Sequence, residues 1–460
     1  MAKYNDLGSG SIKKLVLKLA IPSMVAQFIN VLYGIVDRIY IGNIPNIGEI
    51  ALAGVGVCAP VVTLISSFAF LIGVGGAPLL SIRLGENNTK GAESILSNAF
   101  IMILALSAIL TSLLLVVKEP LLYLFGASDT TFQYANTYLT ICILGTISSL
   151  ITQGLNQYVI CQGYSTVGML TIVIGAITNI VLDPIMIFGL KMNVAGAAIA
   201  TVISQTISAI FVMLFLFGKK TKVRIKFTGY SKYIQKRIIT FGLSPFIILA
   251  SDSIIIIVLN SILQKYGGAK YGDMYITCAT IVQSYFQLVT MPLLGISGGT
   301  QPLLSFNYGA KNIDRVRKAE KNIMLTALIF TSIMFAISQT IPKYFVYIFT
   351  TKQEYIDISV WGIRVFTMFI IPLALQYTIV DGFTALGQAK FAISLSMIRK
   401  TVFMLSTILV PIFCGVKGAF YAEPIADLTG TIVSVTIFIM FFNKIMKKRE
   451  EMADGVALYE

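Results

Sequence analysis

The sequence predicts an all-α integral membrane protein of twelve transmembrane helices, in two pseudo-symmetric six-helix lobes around a central cavity. Three observations carry that expectation. Of 460 residues, 56% are hydrophobic and 12% charged, with a mean hydropathy of +0.83, whereas a soluble domain carries about a quarter charged residues. Apolar runs long enough to cross a hydrocarbon core, about 20 residues each, follow one another down the chain with short polar breaks. The second half of the chain repeats the first.

Taken in order, the runs lie near 15–41, 51–81, 95–117, 134–160, 168–190, 194–217, 239–263, 274–304, 321–349, 358–387, 391–414 and 417–443. Several exceed the minimum length, which permits tilt or extension beyond the bilayer. No polar stretch is long enough for an extramembrane domain. Met1 to Gly10 is polar and lacks the compact apolar core of a signal peptide.

Charge orients the runs. Lys3, Lys13, Lys14 and Lys18 precede or open the first, and Lys219, Lys220, Lys222, Arg224, Lys226, Lys232, Lys236 and Arg237 follow the sixth. Lys311, Arg315, Arg317, Lys318 and Lys321 follow the eighth, and Lys444, Lys447, Lys448 and Arg449 follow the twelfth. The other side has scattered charges such as Lys118, Lys191 and Lys417. By the positive-inside rule both termini are expected in the cytoplasm, and an even span count agrees. The net charge of +14, which in a soluble protein would suggest nucleic acid, therefore reads as membrane topology. Histidine is absent and the five cysteines sit at no metal-ligand spacing, so a His-based metal site is excluded and proton chemistry must run on carboxylates.

The repeat has a shift of about 224 residues. Pro78-Leu79-Leu80-Ser81 returns as Pro302-Leu303-Leu304-Ser305; Gly75 maps to Gly299, Gly85 to Gly309, Asn88 to Asn312 and Gly163 to Gly387. Six spans return the chain to its starting side, so the repeats are parallel, a transporter-like arrangement in which rocking of two lobes gives alternating access. The expected division is an N-lobe at 1–218, a basic linker at 219–238 and a C-lobe at 239–460.

Ionisable residues within spans are costly and usually functional, although a buried charge can also be a structural pair. In the first lobe Asp37, Asp183 and Thr201 each fall roughly 8–10 Å from the outer ends of spans one, five and six, at 1.5 Å per residue. Asn179 and Asp183 are four apart, as are Thr201 and Gln205, so each pair shares a helix face. Such a cluster could take a proton, because burial and a like-charged neighbour disfavour the charged form, or give oxygen ligands to a small hard cation, or be polar packing. Arg38 is expected at the outer interface. In the second lobe Glu423 and Asp427 are four apart on span twelve, and Arg399 and Lys400 lie at mid-span on the eleventh, which reads first as a buried ion pair. Asp252 is a second acidic candidate, and Asp381 is expected near the cytoplasmic interface. Pro184, beside Asp183, is a place for a bend.

Three stretches resemble the multidrug and toxic compound extrusion (MATE) family. These are Pro22 through Val36-Asp37-Arg38 with Ile41-Gly42; Asn179-Ile180-Val181-Leu182-Asp183-Pro184 with Ile187-Phe188-Gly189; and Gly196-Ala197-Ala198-Ile199-Ala200-Thr201. The twin Pro-Leu-Leu-Ser segments fit as well, and the likeness covers nearly the whole chain. It implies a two-lobe antiporter of the bacterial cytoplasmic membrane, driven by inward flow of H+ or Na+ and ejecting amphiphilic organic cations. It also implies that Asp37, Asn179, Asp183 and Thr201 form the N-lobe cation site, metal-binding only if sodium couples, with Gln205, Asp252, Arg399, Glu423 and Asp427 as cavity candidates. The norfloxacin-exporter branch carries a further carboxylate on span seven, where this chain has Ser253 with Asp252 beside it, and another on span ten, where this chain has no acid near Pro372. No cofactor beyond the coupling ion and no enzymatic activity is expected, since no nucleophile–base constellation is present. The expected partners are small organic cations and the lipid bilayer, not nucleic acid, and a monomer suffices. The alternative is a lipid or lipid-linked sugar flippase, for which Arg399 and Lys400 could offer phosphate a basic site.

Overall fold

A computed structural model describes residues 7–125, Ala127 and 129–451, and for Glu49, Ser253, Ile257, Ala269, Lys270 and Asp273 the backbone alone. The polar leader before Leu7, the tail beyond Glu451 and the side chain of Ser253 thus lie outside the described residues. Within them all regular structure is helical. In chain order the helices are α1 Ile12–Gly42, α2 Ile50–Gly85, α3 Thr89–Leu124, α4 Asp129–Leu144, α5 Thr146–Cys161, α6 Ser165–Gly189, α7 Asn193–Phe217, α8 Lys232–Gly268, α9 Met274–Gly309 and α10 Ile313–Thr340. The short α11 Pro342–Val346, then α12 Gln353–Phe366, α13 Ile370–Ala385, α14 Ala389–Cys414 and α15 Val416–Glu451, complete the chain.

Ten of these helices are long and apolar enough to cross a membrane, and twelve spans result when the bent pairs α4/α5 and α12/α13 each count as one. The sequence runs at 134–160 and 358–387 therefore correspond to broken spans, bent by 59° and 50°. At the first break the absent side chain of Gly145 lets α7 approach, since a Cβ there would lie 3.0 Å from Val202 Cγ1. At the second, Thr367 turns its hydroxyl to Ser338 Oγ, 2.9 Å away. Apolar content continues across both breaks, so hydropathy alone reads each pair as one run.

The repeat reappears in hydrogen bonds. Ser81 Oγ donates to Cys161 O at 2.6 Å, and Ser305 Oγ donates to Ala385 O at 2.8 Å. Asn88 Oδ1 caps α3 by accepting from Gly91 N at 2.8 Å, and Asn312 Oδ1 caps α10 by accepting from Arg315 N at 3.4 Å. Gly163 and Gly387 both take positive φ, 93° and 72°, the left-handed geometry that lets the chain turn between α5 and α6 and between α13 and α14. The motif residues that recur are thus those that cap helices, turn the chain or tie neighbours together.

Contacts divide the chain into two compact units, one formed by Val25–Ala250 and the other by Leu7–Met24 with Ser251 onward. The division falls within α1 and α8 rather than at the basic segment 219–238. In the first unit Gly75 on α2 faces Ile238 and Gly242 at the start of α8, and a Cβ on Gly75 would lie 2.8 Å from Gly242 Cα. In the second, Gly295 and Gly299 on α9 face Leu19, Ser23 and Met24 of α1, a Cβ on Gly295 lying 2.8 Å from Met24 Cα. Small residues allow such close backbone approach between membrane helices, so the first stretch of each half of the sequence packs within the unit formed mainly by the other half. The basic segment itself is stitched to the first unit: Gln162 Oε1 accepts from Thr221 Oγ1 and Val223 N, and Asn98 Oδ1 from Ser231 N.

Candidate functional site

In the first unit three helices bring the sequence-selected polar residues together. Asp37 lies near the end of α1, Asn179 and Asp183 share a face of α6, and Thr201 comes from α7. Asp183 is fully buried, Asn179 is 1% exposed, Thr201 8% and Asp37 9%. Asn179 Nδ2 donates to Asp183 Oδ1 at 3.1 Å and to Thr201 Oγ1 at 3.3 Å, so one amide bridges two helices. The carboxyls of Asp37 and Asp183 come within hydrogen-bonding reach of each other. Asp37 Oδ1, Asp183 Oδ2 and Asn179 Oδ1 have no donor among the described residues. Two carboxyls this close, with acceptor oxygens unsatisfied and little water, suit a proton or a small cation held between them. Among the described residues no three His, Cys, Asp or Glu side chains gather to hold a metal ion, so oxygen ligands beyond the two carboxyls must be neutral ones, such as Asn179 and Thr201.

Local sequence explains the geometry. Immediately after Asp183, Pro184 removes a backbone donor, and the following turn, Ile185–Gly189, is wound as a π-helix. Such turns mark places where a helix gives up regular bonding, often at functional sites. Gly196 on α7 packs against this turn, where a Cβ would lie 2.8 Å from the Met186 carbonyl carbon; small residues at 196–198 thus bring Thr201 toward Asn179.

The remaining candidates separate. Gln205, half-buried one turn beyond Thr201, stays outside the hydrogen-bonded group, although its backbone carbonyl accepts from Thr152 Oγ1 at 2.9 Å. Arg38 is exposed. Tyr33, one turn before Asp37, is a neighbour that sequence reasoning missed: its side chain reaches Thr201 and stands beside both carboxyls. Its i, i+4 spacing to Asp37 was the available signal.

In the second unit the charges pair with one another. Arg399 donates through Nε and Nη2 to Asp427 Oδ1, at 3.0 and 2.7 Å. It also donates to Glu423 and packs over the Tyr377 ring at 6.0 Å. Lys400 pairs with Asp252. Neither basic residue is free to meet an anion, and Asp252 is not a free acid. Asp381, expected near an interface, is half-buried, and accepts from Ser297 Oγ.

Comparison with known proteins agrees with this architecture. The MatE family model matches the chain twice, over residues 22–185 and 250–412, once in each half. The multidrug export protein MepA of Staphylococcus haemolyticus is 23% identical over 441 residues, 95% of either chain. That of Staphylococcus aureus is 23% identical over 448 residues, 96% of this chain and 97% of its own. Among solved structures, an outward-facing multidrug resistance MATE family transporter of the MOP superfamily superposes with a TM-score of 0.89 at 24% identity, over 97% of this chain and 100% of that one. A MOP superfamily transporter from Pyrococcus furiosus, described by the reverse polarity of its binding pocket, gives 0.89 at 24% identity, over 96% of this chain and 99% of that one. At these identities the structures speak for the fold, and the family model, matched over most of the sequence, speaks for kinship. The chain belongs to the MatE family of membrane transporters.

Proposed function

We propose that this protein is a secondary active multidrug exporter, in which inward flow of a coupling cation, H+ or Na+, drives amphiphilic organic cations outward by alternating access of two lobes. The observation that carries this reading is the buried pair Asp37 and Asp183, with oxygens that no protein donor satisfies. A site that must be filled by a cation to be comfortable in the membrane is a site whose loading and unloading can drive a change of state. Kinship with the MepA multidrug export proteins supports drugs as the substrate class.

The coupling site also sits on a suitable helix. Residues 12–24 of α1 belong to the second unit, and Val25 onward, including Asp37, to the first. Pro22, inside α1 close to that division, weakens regular helix bonding there. Cation binding at Asp37 thus acts on a helix shared by both lobes. The protein works in the cytoplasmic membrane of a bacterium, with both termini inside, as a monomer and without a cofactor other than the ion. A flippase would want a basic site for phosphate, and the pairing of Arg399 and Lys400 with carboxylates removes the main support for that alternative.

The test is uptake of a fluorescent organic cation into inside-out proteoliposomes, with an imposed acid-interior gradient compared against a sodium gradient. Uphill uptake under one gradient, lost in Asp37→Asn, is expected and names the ion. Absence of uptake under both gradients, with the protein folded and inserted, refutes cation-coupled export.

A further inference from the structure

Another buried acid lies in the unit that the cluster described above does not touch. Glu320 sits on α10 about 10 Å along the helix from Ile313, at 1.5 Å per residue. It is 2% exposed, and neither carboxyl oxygen has a hydrogen-bond partner among the described residues. Its carboxyl points at α13. A Cβ placed on Gly382 would lie 2.8 Å from Oε1 and 3.0 Å from Oε2, so the missing side chain at 382 makes the space that the acid fills. Asp381 precedes that glycine and is the charged group facing Glu320 from α13.

The two acids are provided for differently. Asp381 is served by donors from α9: Ser297 Oγ bonds its carboxyl, and the Gln301 side chain is within hydrogen-bonding reach. Glu320 has none. Arg317, Lys318 and Lys321, its neighbours on α10, are exposed, and Arg315 is bound to Asn307 Oδ1 and to the carbonyls of Leu7, Ser9 and Gly10. No ion pair reaches Glu320 among the described residues; α11 and α12 adjoin the far end of α10 and offer it no partner. A bare carboxylate in such a place costs several kcal/mol, and of two neighbouring acids the one with donors keeps the charge while the other keeps the proton.

We infer that Glu320 is a proton-binding residue, holding an exchangeable proton beside a charged Asp381, and that it forms a second proton site confined to the second unit. Ser297 and Gln301 favour the charged form of Asp381 beside the acid, and Gly382 makes the room. The inference does not rest on the nature of the substrate or on Asp37 and Asp183, and it would hold for an exporter or a flippase alike.

Infrared difference spectra between acid and alkaline buffer test it, with the full chain in lipid nanodiscs on an Asp37→Asn/Asp183→Asn background that silences the first cluster. A carboxylic C=O band that shifts in D2O and disappears in Glu320→Gln is the expected result. Asp381→Asn, which keeps the acid, should retain the band but lose it at lower pH, because one negative neighbour fewer opposes ionisation. The inference is overturned if no exchangeable band exists, if the band survives Glu320→Gln, or if Asp381→Asn leaves its pH dependence unmoved. It is also overturned if sodium in place of choline removes the band at constant pH, which would assign the site to a metal cation. Since the background variant is expected to be inactive in transport, uptake by it would count against the proposed function without touching this result.

Discussion

A carboxyl shut away from water needs a donor, a counter-charge or a proton, and each buried acid of this chain meets that need in its own way. Asp183 has one amide donor and another carboxyl. Asp183→Asn preserves shape and hydrogen-bonding capacity while removing the ionisable oxygen, so uphill dye transport should fall to the level of empty liposomes while the unfolding temperature stays near that of the parent. Normal uphill transport by that variant would take Asp183 out of the mechanism. Tyr33→Phe removes a hydroxyl that stands beside Thr201 and both carboxyls; a polar neighbour that contributes about 1 kcal/mol to cation binding would leave roughly a fivefold weaker ion dependence of uptake. Arg399 presents the opposite case, a charge whose work is structural. Arg399→Met strands Glu423 and Asp427, a loss of about 3–5 kcal/mol for a broken buried pair, read as a marked drop in thermal stability. An unchanged unfolding temperature and expression would refute that role. The i, i+4 spacing made Asn179/Asp183 and Glu423/Asp427 legible in the sequence. Glu320 was hidden because it stands in the basic run from Lys311 to Lys321, where a lone acid reads as one more solvated charge and only the packing of α13 reveals its burial.

Elements show which features of a repeat are physical necessities. The caps at Asn88 and Asn312, the left-handed glycines 163 and 387 and the serine ties at 81 and 305 all lie 224 residues apart, and these were readable as motifs because no other residue type does the same work as well. The bends at α4/α5 and α12/α13 were not readable, since the residues around them are as apolar as the helices they join and the breaks are set by neighbours such as Val202 and Ser338. The division of α1 and α8 between the two units was equally hidden, because it depends on where glycines on α2 and α9 let another backbone in. Gly75→Leu and Gly299→Leu should therefore each destabilise by about 1–3 kcal/mol or more, as overpacking of a tight contact does. Gly56→Leu is the control on α2: nothing lies within 4 Å of a Cβ there, and a better helix former than glycine should leave stability equal or higher. Thermal unfolding in one detergent compares the three, and equal effects at positions 56 and 75 would remove the close-approach argument.

At the scale of the molecule, the surface that would be a liability in water identifies the solvent. Val116, Leu214, Phe413 and Ile439 stand exposed along helices, as side chains facing hydrocarbon do, while charges inside the spans, such as Arg399, Lys400 and Asp427, are paired. Not every basic residue counted for topology is simply solvated. The Arg449 guanidinium is buried and donates to Tyr308 O at 3.0 Å and Gly309 O at 2.8 Å, capping the end of α9, as basic groups near a helix C-terminus do. The positive-inside bias rests on many other residues, of which Lys219, Lys220, Lys318 and Lys447 are exposed. It gives a concrete expectation for whole cells. On a background in which the exposed Cys414 is replaced by serine, single cysteines at Lys219 and Lys447 should react with a membrane-impermeant maleimide only after the cells are opened. Cysteines at Lys191 and Lys417 should react from outside in intact cells. The reverse pattern would place both termini outside and invert the side from which the proposed coupling site at Asp37 and Asp183 is reached. Labelling of all four from outside would mean that the chain does not thread the membrane with the twelve crossings that its helices allow.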